Sequence, residues 1–152
     1  MRLREAALDL YLDRGYDETT TAQIAERAGV TERTYFRHFA DKREVLFDGE
    51  RELHDVMVGA IADAPLDARP LALVSAAYTA AVPLFVAGRP IALRRAAVIA
   101  VTPALKERAQ AKSAALADAL VAALVQRGVP DATARLAAQL GSAAFERASS
   151  EW

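Results

Sequence analysis

The run from Thr20 to Lys42, TTAQIAERAGVTERTYFRHFADK, decides the fold. Thr19, just ahead of this run, and Thr20 and Thr21 offer hydroxyl caps before Ala22-Gln23-Ile24-Ala25-Glu26-Arg27-Ala28, and Gly29 can take the left-handed backbone conformation that ends a short helix. Val30 then turns an apolar side chain toward a core. Thr31 caps a second short helix, which carries Thr34-Tyr35-Phe36-Arg37-His38-Phe39. The spacing predicts helices over 21–28 and 31–39 joined by a tight turn, a helix-turn-helix whose second helix can enter a DNA major groove, where base edges display distinguishable donors and acceptors.

Outward from this run the chain reads at a helical period throughout. Leu3, Ala6, Ala7, Leu10 and Tyr11 form one stripe, ended by Gly15 after Arg14, so a first helix is expected over 2–14. Asp41 can cap a long helix over 42–63, with Val45, Leu46, Leu53, Val56, Met57, Ala60 and Ile61 apolar. Pro70, Gly88-Arg89-Pro90, Thr102-Pro103 and Gly128-Val129-Pro130 divide the remainder into expected helices over 70–87, 90–101, 103–127 and 131–152. Pro83 is expected to remove a backbone hydrogen bond and bend the first of these. No alternating β-branched run is long enough for a strand, so the class is all-α. A head over 1–45 and a body over 46–152 are expected, with the long fourth helix as connector.

Charge narrows the function only locally. The 152 residues carry a net charge of -1, and residues 1–52 hold nine Lys/Arg against twelve Asp/Glu. Between Arg33 and Arg43 the balance reverses, because Arg33, Arg37, Lys42 and Arg43 face only Asp41, with His38 adjacent. That segment is where phosphates can be met. With no cysteine, the sequence holds no disulfide and no thiolate metal site. No His/Asp/Glu cluster has metal spacing and no nucleophile elbow is present; the body's only histidine, His54, is expected on an exposed face. No catalytic residue, metal or cofactor is assigned, and an enzyme is not expected. The start lacks a secretory signal, and no stretch is expected to supply the ~18 uncharged apolar residues of a membrane span. A soluble cytoplasmic protein is expected.

The residues from Thr20 to Thr31 and from Thr34 to Lys42 strongly resemble the DNA-binding signature of the TetR family of repressors, over roughly residues 3–53. The resemblance implies a three-helix head, a divergent ligand-binding body, and a homodimer built mainly from the last two helices. It implies a cytoplasmic, ligand-responsive repressor that binds a palindromic operator on double-stranded DNA and is released by a small apolar effector. By the same correspondence Thr21, Ala22, Glu32, Arg33 and Arg37 meet base edges, while Thr20, Thr34, Phe36, His38 and Lys42 face the DNA backbone. Phe36 departs from the commoner pattern, which has a tyrosine there to bond phosphate, so only apolar contact with sugar or a thymine methyl remains. Tyr35 is expected to pack. Family members commonly have a basic arm ahead of the first helix and one helix beyond the last, so both are expected to be missing here.

The body also resembles an actinobacterial, mycofactocin-type branch in Leu93-Arg94-Arg95, Thr102-Pro103-Ala104-Leu105 and the segment from Phe145 to Trp152. That implies an acyl-type effector whose anionic group an arginine such as Arg94 or Arg95 would meet. Tyr78, Phe85, Arg94, Phe145 and Trp152 are the candidate ligand-binding residues, standing out among alanines and leucines; Tyr78 and Phe85 are seven apart, on one helical face. An alternative is a small-molecule carrier or sensor whose head docks a protein partner.

Overall fold

The computed structural model describes residues 2–150 and is all-helical. Its elements are α1 (Arg2–Arg14), α2 (Thr21–Arg27), α3 (Glu32–His38), a 3₁₀ turn (Glu44–Phe47), α4 (Glu50–Asp63), α5 (Pro70–Val101), α6 (Pro103–Gln126) and α7 (Asp131–Ser150). The Trp152 expectation lies outside the described residues.

The chain forms two compact units. One joins the residues through Glu50 with Gly88–Gln110; the other joins Arg51–Ala87 with the residues from Ala111 onward. The unit that holds residues 1–45 thus also takes in residues 88–110. Its core gathers Ala6, Ala7, Leu8, Leu10 and Tyr11 of α1, Ile24 and Ala25 of α2, Tyr35 of α3 and Val45, Leu46 and Phe47 of the 3₁₀ turn, and it closes with Val98 of α5 and Leu105 of α6. Each of those two aliphatic side chains, once buried, contributes on the order of 1.5–3 kcal/mol. Thr102 makes the corner that delivers them: its carbonyl accepts from the N–H groups of Leu105 and Lys106, and Pro103 takes a first-turn position that needs no N–H partner.

The long connector expected over 42–63 is broken. Residues 44–47 wind as a 3₁₀ turn and the α-helix starts only at Glu50, because Gly49 adopts φ +95 between them. A residue in the left-handed region cannot continue a right-handed helix.

The second correction runs the other way. The break expected at Gly88-Arg89-Pro90 does not occur, and α5 is one helix of 32 residues through both Pro83 and Pro90. Each proline removes one hydrogen bond, to the carbonyls of Thr79 and Val86, but both of those residues are exposed, so water can serve the freed acceptors. Burial of Leu73, Val74, Ala77 and Ala81 in one core and of Val98 in the other holds the helix on both sides of the prolines. Tertiary packing overrides the local breakers.

A third correction concerns α5 as well. Its residues 70–88 carry no charge, and its best 18-residue window reaches a mean hydropathy of 1.8, long and apolar enough to cross a membrane by length and composition. The expectation that no such stretch exists is therefore corrected for this helix, by length and composition alone. In the second unit Leu73, Val74, Ala77 and Ala81 of this helix pack with Met57 and Ile61 of α4, Leu120 and Leu124 of α6 and Ala134, Ala137 and Ala138 of α7. The alanines let α5 and α7 come close. A Cβ built at Gly141 would overlap Val74 Cγ1 and lie 3.0 Å from Tyr78 Cε2. Arg127, at the end of α6, donates to the carbonyls of Ala62 and Pro65 and so satisfies acceptors left open where α4 ends.

Candidate nucleic-acid interface

The two helices of the motif are fixed by local chemistry. Thr20 and Gln23 form a reciprocal capping box on α2: the Thr20 hydroxyl accepts from the Gln23 N–H, and the Gln23 side-chain oxygen accepts from the Thr20 N–H at 3.0 Å. Gly29 turns the chain at φ +71, and Thr31 caps α3 by accepting from the Thr34 N–H at 3.2 Å. Tyr35 is fully buried, and burial pushes its phenol well above the usual tyrosine range, so it stays a neutral donor. Its hydroxyl donates to the Asp41 carbonyl at 3.1 Å; the equally buried Tyr11 hydroxyl donates to the Lys42 carbonyl at 2.5 Å. Two buried phenols thus tie down the chain just after α3.

On the outside of this scaffold lie Thr20, Ala22, Glu32, Arg33, Phe36, Arg37 and His38, all exposed, with Thr21 and Thr34 half-buried. Phe36 stands 51% exposed, edge-on to Tyr35, which is unusual for a phenylalanine and leaves its ring presented to a partner. The Thr21 hydroxyl donates to Glu32 Oε1 at 2.6 Å, linking the first turns of α2 and α3. The second Glu32 oxygen keeps its lone pairs, which suit the amino group of a cytosine. The surface therefore offers guanidiniums for guanine or phosphate, a carboxylate for cytosine and an aromatic ring for a thymine methyl.

Lys42 does not face outward. Its Nζ donates to the carbonyls of Tyr16 at 2.9 Å, Thr19 at 3.2 Å and Asp17 at 3.3 Å, and lies 4.2 Å from the centroid of the Tyr16 ring. An ammonium has three hydrogens, and three carbonyls of the α1–α2 loop take them. The phosphate role implied by resemblance has no free donor in this arrangement. Arg43 is likewise engaged, donating twice to Asp41 Oδ2, and that guanidinium holds the Asp41 carboxyl below the usual carboxylate range. Sequence reading missed the Lys42 acceptors because backbone carbonyls are invisible in a residue pattern.

The four described candidate ligand residues separate. Tyr78, Phe85 and Phe145 come together in the second unit, with Phe145 5.2 Å from Tyr78 and 4.5 Å from Phe85 by ring centroids, and the Tyr78 hydroxyl 3.1 Å from Ser142 Oγ. Arg94 belongs to the first unit, where its guanidinium donates to Asp9 Oδ1 at 2.5 Å. A carboxylate on α1 has captured the charge expected to meet an effector. Arg95, half-buried, donates to the Leu46 carbonyl, and desolvation pulls it below the usual arginine range.

The class defined by this head is a helix-turn-helix module. Residues 3–48 match the profile described as "Bacterial regulatory proteins, tetR family". The head is thus similar to that family's profile over these residues. Similar proteins include the HTH-type transcriptional regulator TcmR of Streptomyces glaucescens, 39% identical over 79 residues, which are 52% of this chain and 35% of that regulator. An uncharacterized HTH-type transcriptional regulator, YvkB of Bacillus subtilis (strain 168), is 48% identical over 42 residues, 28% of this chain and 22% of its own length. The match thus spans about a third or less of these curated relatives. Among solved structures, a possible TetR family transcriptional regulator from Streptomyces coelicolor A3(2) aligns over 93% of this chain and 64% of its own, at 25% identity and a TM-score of 0.48. A transcriptional regulator from Rhodococcus sp. Rha1 aligns over 91% and 75%, at 26% identity and a TM-score of 0.46.

Proposed function

We propose that the chain is a cytoplasmic transcriptional repressor that reads double-stranded operator DNA with α3. The observation that supports this best is the exposed set Glu32, Arg33, Phe36, Arg37 and His38 on a short helix that is capped at Thr31 and fastened beneath by Tyr35. Arg33, in the first turn, pairs with guanine; Arg37 and His38, one turn on, meet phosphate or a neighbouring base, joined by the hydroxyls of Thr20 and Thr34. Thr21, Ala22 and Glu32 complete the base-reading edge. Lys42 acts from behind, fixing the loop that carries Thr20.

The protein works as a homodimer on a palindromic site, its two reading helices in successive major grooves ~34–36 Å apart. A small apolar or acyl-type effector, bound near the Tyr78, Phe85 and Phe145 cluster, releases the operator by changing that spacing. Selection of bound duplexes from a random pool, with and without apolar ligands, tests the whole reading. A palindrome lost on ligand addition is the expected result, and absence of salt-dependent binding to any duplex would falsify it.

A further inference from the structure

Asp9 lies on α1, outside the motif, yet its carboxylate is held from two other helices at once. Arg27, the last residue of α2, donates to Oδ2 at 3.1 Å, and Arg94 of α5 donates to Oδ1 at 2.5 Å. The three residues line an open cleft of about 500 Å³ together with Leu10, Leu12 and Asp13. All three side chains are partly exposed, 39% for Asp9, 54% for Arg27 and 38% for Arg94, so water screens both pairs and they add little to folding stability. Their effect is geometric. Arg27 ends the helix whose capped start carries Thr20 and Thr21, and those residues share a surface with α3 through the bond from Thr21 to Glu32. Arg94 belongs to the same continuous helix as Tyr78 and Phe85.

We propose that Asp9 is a positioning residue for DNA reading: by holding Arg27 and Arg94 together it fixes the end of α2 against α1 and makes that orientation depend on α5. Two weak, solvated ion pairs on one carboxylate suit a joint that re-forms as α5 shifts better than a permanent weld. The inference rests on the DNA-binding reading above and deepens it.

The test compares affinity for the selected operator with affinity for a random duplex, in the full chain carrying Asp9→Asn, Arg94→Gln, both together, or Asp9→Glu, alongside thermal melting. The expected result is an operator-over-random ratio about three- to tenfold lower in Asp9→Asn, a smaller loss in Arg94→Gln, and a double variant no worse than Asp9→Asn alone. Asp9→Glu restores the ratio, and random-duplex affinity and melting hardly move. A ratio within about twofold of wild type in Asp9→Asn overturns the proposal, as do losses that simply multiply in the double variant. So does an equal fall for both duplexes, which reports lost folding instead of lost positioning. If the unaltered chain binds no duplex in a salt-dependent way, the DNA-binding reading itself fails and takes this inference with it.

Discussion

Replacing Lys42 with methionine separates two roles that a residue pattern cannot tell apart. Methionine keeps the length of the side chain and removes the ammonium, which in the structure serves three loop carbonyls and the Tyr16 ring. The bonds to Tyr16 and Thr19 are partly buried and the one to Asp17 is exposed, where water replaces it. Two retained losses of about 1 kcal/mol each, with ~0.5–1 kcal/mol for the cation over the ring, come to about 2–3 kcal/mol. For a chain of this size that lowers the melting temperature by about 4–12 °C. A phosphate contact would show differently: its loss would lower the slope of log affinity against log salt by about 0.9, with little change in melting. The assay is operator affinity at several salt concentrations, measured well below the melting temperature of both proteins, beside a thermal melt. The expected outcome is a clear fall in melting temperature with an unchanged salt slope. A slope lower by about one unit would place the ammonium on DNA and refute the reasoning.

Three further outcomes follow from the geometry. Arg33→Ala should relax sequence preference at one position of each half-site by about 1–3 kcal/mol, read by repeating duplex selection with the variant, and melting should not change. Gly141→Ala should destabilise the protein by about 1–3 kcal/mol in a denaturant melt, because its methyl would press on Val74 and Tyr78; no loss would mean that α7 can move away from α5 freely. Arg43, with the backbone N–H groups of Arg43 and Glu44, holds the Asp41 carboxyl below its ordinary value. Carboxyls depressed in the fold add stability that is present above their unfolded value near pH ~3.9 and is lost as the pH falls through the folded value. Acid titration followed by circular dichroism should therefore show Asp41→Asn less sensitive than wild type below about pH 4, and an unchanged acid midpoint would refute the assignment.

The motif was legible because its determinants are local. Threonine caps, the glycine at the turn and the apolar residues at helical spacing act within a few residues of one another, and α1, α2 and α3 fall within a residue of their expected bounds. The body was less legible, because there the same tokens compete with packing over long separations. Gly88 and Pro90 read as a break, yet cores on either side carry α5 through them; Gly49 stopped a helix that the apolar period seemed to extend. The Asp9–Arg94 pair joins residues 85 apart in sequence, and nothing in an arginine beside another arginine says which carboxylate it will meet. Among the candidate ligand residues, only the seven-residue spacing of Tyr78 and Phe85 carried positional information, and those two do meet around Phe145.

The corner at Thr102 bears on how such proteins can be recombined. Val98 and Leu105, arriving from either side of it, are as much part of the head's interior as Leu8 or Ile24. A head excised after Glu50 and grafted onto a foreign body would leave Leu46 and its neighbours facing water on one side. If α3 reads DNA as proposed, exchange of its specificity has a natural unit that is discontinuous: the first fifty residues travel with residues 88–110, or the graft must supply two matching aliphatic side chains at the equivalent bend.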